Sequence, residues 1–348
     1  MKTENITERK LDERESSILN TIVYEYIVSG KPVGSRSFVQ KYSLAVSPAT
    51  MRNIMFDLEG IGYLKQPHTS AGRIPTDRGY RFYVNSLLDS YHFNMSEEFD
   101  IKVDAIRREL QLDRIFQSVT RMLSMVSKYS GVILTPRSDF AVIKRIELIP
   151  IDNSEVICVI ITRTGKIINR KVVVSANPSA ESLYEFSKYL TGELGGYTMH
   201  EIKETIFDRL RSYRGQMDLA IDIAQLAMGD TEEPEMHVEG IENLLKIPEM
   251  VEEARLNSLL NIIEEKNILR MILAKTMESD GVRTLIGEEI DEPRVSGCSM
   301  VSAPYRIGDK NVGVLGVLGP TRMDYKRVVP LVDYTGKLMS DFLTQMSR

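Results

Sequence analysis

The dipeptide Ser47-Pro48 constrains the fold of this chain more than any other feature. A serine able to accept a backbone hydrogen bond, followed by a residue whose φ is already helical, marks the start of a helix. From there Met51, Ile54, Met55 and Leu58 recur at i, i+3, i+4 and i+7, which defines a buried stripe, and Gly60 or Gly62 ends the run. Upstream, Ile18, Leu19, Ile22, Val23, Tyr26 and Ile27 predict a helix from Asp12 to Ser29 with Gly30 as its stop. A shorter helix from Ser35 to Tyr42 follows the turn Gly30-Lys31-Pro32-Val33-Gly34. Downstream, Tyr63 to Pro67 and Arg73-Ile74-Pro75 read as two short strands around a polar loop, His68 to Gly72, with Gly72 at its bend. Three helices and then a β-hairpin is the order of a winged helix-turn-helix. A connecting helix from Thr76 to about Ser90 follows.

Charge points to the same segment. The 348 residues carry a net charge of −5, but residues 1 to 85 hold 12 Lys/Arg against 9 Asp/Glu. Residues 31 to 85 alone hold 8 basic side chains and 3 acidic ones. A basic patch on an acidic protein suits a polyanion, although a solvated surface produces such asymmetry too.

The rest of the chain reads as α+β. A long amphipathic helix is expected from about Phe99 to Tyr129, then strands at Gly131 to Thr135, Ala141 to Pro150, Ser154 to Thr162 and Ile167 to Val174. A helix from Ser179 to Leu194 precedes strongly helical sequence from about Phe207 to Met277. Strands resume at Val282 to Ile286, Cys298 to Tyr305 and Asn311 to Leu318, before a closing helix with Leu331, Tyr334, Leu338 and Phe342. The middle helices therefore read as an insertion in an α/β domain. The domains expected are 1–85, 86–206 continued by 279–348, and an inserted 207–278.

A recognition helix presents its outer face to base edges while neighbouring elements hold phosphates. Turning Met51, Ile54, Met55 and Leu58 inward leaves Ala49, Arg52, Asn53 and Phe56 outward, with Ser47 and Thr50 at the helix start. Arg52 matches a guanine edge, Asn53 an adenine, and Ala49 permits close approach or meets a thymine methyl. Ser35 and Arg36 open the preceding helix, where backbone amides favour a phosphate, though a plain N-cap accounts for Ser35 equally. Lys65, His68, Thr69, Ser70 and Arg73 place polar and cationic groups on the hairpin. An ordinary solvated helix face and an unpartnered surface hairpin fit these patterns as well. For self-association, Leu256, Leu259, Leu260, Ile263, Ile268, Leu269, Ile272 and Leu273 form an apolar stripe suited to a second copy of the chain or to the α/β domain itself.

Other chemistries find no residues. There is no G-x-S-x-G, G-x-x-x-x-G-K-[ST] or H-E-x-x-H, so no enzyme is expected. His200 and His237 lie near Glu201 and Glu235 without metal-site spacing, and no cofactor is expected. Gly313, Gly316 and Gly319 suit an apolar strand better than a phosphate loop. Cys158 and Cys298 stand far apart, which fits a reducing compartment, and no apolar run is long enough for a membrane span. With no secretory pattern at Met1 to Arg14, the cytoplasm is expected.

Three motifs carry a family resemblance: Pro32-Val33-Gly34-Ser35-Arg36, Ser47-Pro48-Ala49-Thr50-Met51-Arg52-Asn53, and Gly62-Tyr63-Leu64 through Gln66-Pro67-His68-Thr69-Ser70-Ala71-Gly72-Arg73-Ile74-Pro75-Thr76-Asp77. With Val314 to Tyr325 and Leu331-Val332-Asp333-Tyr334 near the other end, they resemble the bacterial heat-inducible transcription repressor family, HrcA. The first ten residues look like an extension, and Ile54 and Phe56 depart from that pattern. The resemblance implies a winged-helix domain, a GAF-like α/β domain and an inserted dimerising domain. It also implies a homodimer that represses chaperone operons at an inverted-repeat operator on double-stranded DNA, is supported by a GroEL-type chaperonin and is inactivated by heat. A GAF-type regulator that senses a small ligand is the alternative function.

Overall fold

The computed structural model describes residues 11–69, 71–88, 112–137, 140–152, 154–174, 178–211, 217–229, 233–250, 266–295 and 297–347. The N-terminal unit begins with α1 (Glu13–Ser29), α2 (Ser35–Tyr42) and α3 (Pro48–Gly60). Local chemistry sets each boundary. Asp12 and Glu15 form a reciprocal capping box at the start of α1, and Gly30 ends it with φ +65°. The short strands β1 (Leu64–Lys65) and β2 (Ile74–Pro75) pair antiparallel, and Val33 exchanges two backbone hydrogen bonds with Arg73, so the hairpin is held to the α1–α2 turn. Helix α4 (Asp77–Leu88) follows, its first turn capped by the Thr76 hydroxyl, which accepts from the Gly79 amide.

Beyond it lie α5 (Leu112–Ser127), β3 (Ser130–Leu134), β4 (Ile143–Pro150), β5 (Glu155–Thr162), β6 (Ile167–Val173) and α6 (Ala180–Leu194). A helix interrupted by a π-helical stretch, Ile202–Ile206, leads to α7 (Asp218–Met228) and β7 (Met236–Glu239). Then come α8 (Lys266–Met277), β8 (Arg283–Ile286), β9 (Cys298–Ile307), β10 (Lys310–Pro320) and α9 (Tyr325–Ser347). Residues 89–90 and 99–111, expected to be helical, lie outside the described residues.

The strands divide into two larger sheets. One runs β7-β3-β10-β9-β8, antiparallel throughout; the other is β4-β5-β6. Alternation along β3, β9 and β10 sorts the first sheet's side chains. Ile133, Val301, Tyr305, Leu315 and Val317 join one core with α1, α3, α4, α5 and α9. Val132, Leu134, Met300, Val314 and Leu318 join another with Ile268, Leu269, Ile272 and Leu273 of α8. The second sheet has its own core, where Ile146, Leu148, Val156, Cys158 and Ile160 meet Leu183 and Leu190 of α6 and Ile221 and Ala224 of α7.

This corrects the expected segmentation. The helical stretch 207–278 is not one inserted body, because α7 packs on the three-stranded sheet and α8 on the five-stranded sheet. The strands of 141–174 and those of 282–318 do not share a sheet. A strand, β7, lies inside the stretch read as helical.

Among the described residues, the three-stranded sheet is covered on one face only. Ser187 and Thr191 of α6 accept the Leu148 and Ile146 amides of β4 at 2.9 and 3.0 Å, which closes that edge. The outer face carries Ile149, Ile157, Val159, Ile161, Ile167 and Val173, of which Ile149, Ile167 and Val173 are 49, 61 and 67% exposed. Arg145 paired with Glu147, and Lys171 paired with Glu155, share it.

Candidate nucleic-acid interface

Helix α3 starts as its sequence dictates. Ser47 Oγ accepts the Thr50 amide at 3.0 Å and lies 2.8 Å from the Thr50 hydroxyl, while Pro48 needs no partner for a proton it lacks. Met51, Met55 and Leu58 are 0, 3 and 0% exposed. Ile54 is only half-buried, at the rim of that core. The opposite face leaves Ala49, Thr50, Arg52, Asn53 and Phe56 exposed.

The start of α2 lies across a shallow groove from α3. Its N-cap is Gly34, not Ser35, and no side chain satisfies the first amides of the helix. They and the helix dipole face outward beside the exposed Arg36, an arrangement that favours an anion. The groove, about 690 Å³, brings Ser35, Arg36 and Arg52 together with Gln66, Thr69 and Arg73 of the hairpin.

The hairpin differs from expectation in three respects. Gly72 is not at a bend: a Cβ there would lie 2.4 Å from the Val33 carbonyl oxygen, so the residue is glycine to let two backbones meet. The bend is made by the His68 carbonyl, which accepts the Ala71 amide at 2.8 Å, and by Gln66, whose Nε2 donates to the Thr69 and Ala71 carbonyls at 2.9 Å each. Gln66 is thus a site residue that sequence reasoning missed, and polar character alone gave no signal for it. Arg73 turns inward to Glu59 of α3 at 2.8 Å, with its side chain 16% exposed, so it braces the hairpin and is not a free cation.

Lys65 does not line the groove. It lines a separate cleft between the N-terminal unit and the five-stranded sheet. His68 and Thr69 are exposed at the tip, and Ser70 lies outside the described residues.

Two features hold this surface in place. Glu25 of α1 accepts from Lys41 Nζ at 2.6 and 2.9 Å and from Tyr42 Oη at 2.7 Å, tying α1 to α2. The Lys41 hydrogen bond, reinforced by that of Tyr42, holds the Glu25 carboxyl below the usual carboxylate range against the opposing effect of burial. Burial, and then Glu25, pushes the Tyr42 phenol up to about 12. At the other end of the unit, Arg322 donates to the Ile27 carbonyl at 2.6 Å and pairs with Glu249, Arg81 pairs with Glu289, and Asp77 accepts the Glu288 amide at 3.0 Å. A cation on the last turn of α1 is electrostatically favourable.

Of the residues expected to serve self-association, those that are described are not open to a second copy. Ile268, Leu269 and Ile272 are 1, 0 and 2% exposed because they fill the α8 side of the five-stranded sheet, and Leu256, Leu259, Leu260 and Ile263 lie outside the described residues. Among the described residues no group of three His, Cys, Asp or Glu side chains could hold a metal ion, and no helix is long and apolar enough to cross a membrane. Gly313, Gly316 and Gly319 are positions of β10, where a Cβ on Gly313 would meet the Tyr305 hydroxyl at 2.1 Å.

Comparison with known proteins covers nearly the whole chain. The family model for the HrcA protein C-terminal domain matches residues 113–329. Over 343 residues, 97% of this chain and 99% of the relative, the chain is 36% identical to the heat-inducible transcription repressor HrcA of Pelotomaculum thermopropionicum. Identity to the heat-inducible transcription repressor HrcA of Leptospira biflexa serovar Patoc is 33% over 343 residues, again 97 and 99% of the two chains. A crystal structure described as that of a hypothetical protein is 27% identical, with a TM-score of 0.65, covering 97% of this chain and 100% of that one.

Proposed function

The chain belongs to the HrcA family of heat-inducible transcription repressors, and from that premise we propose that it represses heat-shock (chaperone) operons in the cytoplasm by binding an inverted-repeat operator as a homodimer. One observation carries this reading: the exposed face of α3 presents Ala49, Arg52 and Asn53 beside a groove that gathers Arg36, Arg52 and the uncapped start of α2. Recognition helix, phosphate clamp and hairpin together make a winged helix-turn-helix, with α3 the element for the major groove. Ser47 and Thr50 hold the helix start, Ser35 and Arg36 take phosphate, and His68 and Thr69 form the tip of the wing. The five-stranded sheet, with helices on both faces, supports the GAF-like reading of the body.

Two-fold symmetry requires a self-complementary surface, and the outer face of the three-stranded sheet supports one. It is aliphatic, exposed and marked by charges of both signs, so Arg145 or Lys171 of one copy can meet Glu147 or Glu155 of the other. In the dimer hypothesis this face stands in for Ile268, Leu269 and Ile272, which are buried against the five-stranded sheet. Support from a chaperonin fits a body whose sheet depends on distant strands. A ligand-sensing role has less behind it, because the cleft of about 770 Å³ next to Arg322 and Glu249 has those charges engaged in contacts between the units.

Selection of bound sequences from random duplex DNA tests the proposal. An inverted repeat should emerge, and Arg52→Ala should lose roughly 1 to 3 kcal/mol on it with relaxed preference at one base pair per half-site. Recovery of unrelated sequences, or unchanged affinity and preference in the variant, would refute it.

A further inference from the structure

Phe56 is 67% exposed, as much as Val173 and more than the other large apolar side chains of the described residues, and it stands on the same face of α3 as Ala49, Arg52 and Asn53. The spacing 49, 52, 53, 56 is that of a single helical stripe. Seven residues separate Ala49 from Phe56, about 10 Å along the axis, or roughly three base-pair steps of duplex. A helix lying in the major groove with Arg52 at its centre therefore carries Phe56 past the hydrogen-bonding residues to a further base pair. Among the described residues the ring is left largely uncovered, and Arg52 precedes it by one helical turn on the same face.

A phenyl ring has no hydrogen-bonding group with which to read a base edge. The apolar feature that the major groove offers in a sequence-dependent way is the C5-methyl of thymine. We propose that Phe56 is a specificity-determining residue that reads a thymine methyl in each half-site, selecting thymine over cytosine or a purine where Arg52 and Asn53 cannot reach. This rests on the DNA-binding reading of α3 above. The exposed ring also explains why a large apolar group can persist on a surface that must stay free in the unbound protein. Its water-exposed area is removed on docking, and the cost of exposure becomes binding selectivity.

The test uses the full-length protein and the inverted repeat recovered by selection, in which each thymine is replaced in turn by uracil, identical except for the missing methyl. Binding is followed by fluorescence anisotropy for the parent, Phe56→Ala and Arg52→Ala. One symmetric replacement should weaken the parent about fourfold per half-site, the expected effect of one methyl returned to water. Phe56→Ala should bind the all-thymine duplex more weakly and be indifferent to that same replacement, whereas Arg52→Ala should remain sensitive to it. A uracil profile in Phe56→Ala that matches the parent's overturns the proposal. So does a Phe56→Ala protein that binds every duplex normally but changes mass in sedimentation equilibrium, which would make the ring a protein–protein contact. If selection itself yields no sequence preference, the DNA-binding reading fails first, and that outcome is distinct from a preference without a methyl effect. Because Phe56 lies outside the core, its variant should melt like the parent, so a folding defect cannot mimic the result.

Discussion

Gly72 shows how much one missing side chain can decide. The Val33–Arg73 backbone pair can close only because no Cβ stands between Gly72 and the Val33 carbonyl. Gly72→Ala should therefore destabilise the N-terminal unit by about 1 to 3 kcal/mol, as overpacking against backbone does, seen as a lower urea midpoint. Gly60→Ala is the matched control. Nothing lies within 4 Å of a Cβ there, and alanine should be neutral or stabilising by up to about 1 kcal/mol in the same titration. Equal midpoints for the two variants would contradict this account. The sequence reading found the outward face of α3 because helical periodicity is local. It placed Gly72 at a bend and left Arg73 free because their partners, Val33 and Glu59, lie outside any short window.

Between α1 and α2 the tie is Glu25, and its ionisation has a definite sign. Its carboxyl is depressed in the folded state by Lys41 and Tyr42, so its stabilising contribution is complete above the ordinary value of 4.5 and is lost as pH falls through the folded value. Glu25→Gln should melt below the parent at pH 7, by no more than about 1 kcal/mol given the exposure of Lys41, and the gap should close as pH drops below the carboxylate range. Melting curves between pH 7 and 3 check this, and a gap independent of pH would reject it. Helices were legible one by one because their caps and stripes are written in adjacent residues, as with Asp12, Gly30 and Ser47. The strand β7 was not, although Met236 and Val238 alternate with His237 and Glu239 between Pro234 and Gly240. Four residues of period two carry little weight beside the helical sequence around them; pairing with β3 decides the matter.

Across the molecule, pairing of strands rather than their existence was hidden. Every expected strand boundary can be right and the assembly still wrong, since alternation shows which face is buried but not which sheet receives it. That ambiguity concealed the exposed aliphatic face of β4-β5-β6, where the dimer hypothesis now has its surface. Ile149→Glu, a charge placed at a site 49% exposed in the single chain, should leave the melting temperature unchanged at low concentration and convert dimer to monomer in sedimentation equilibrium. A variant that remains dimeric would remove this face from consideration. One further property follows from the order of the five-stranded sheet. Leu134 pairs with Val314 across a long stretch of intervening chain, and the entropy of closing that loop is lost before the pairing rewards it. Closing so long a loop is slow, and the centre of the sheet cannot form without it. The five-stranded sheet is therefore expected to reassemble after the locally contacting helices of the N-terminal unit, so refolding followed by pulsed hydrogen exchange should protect β3 and β10 last, and simultaneous protection would contradict this.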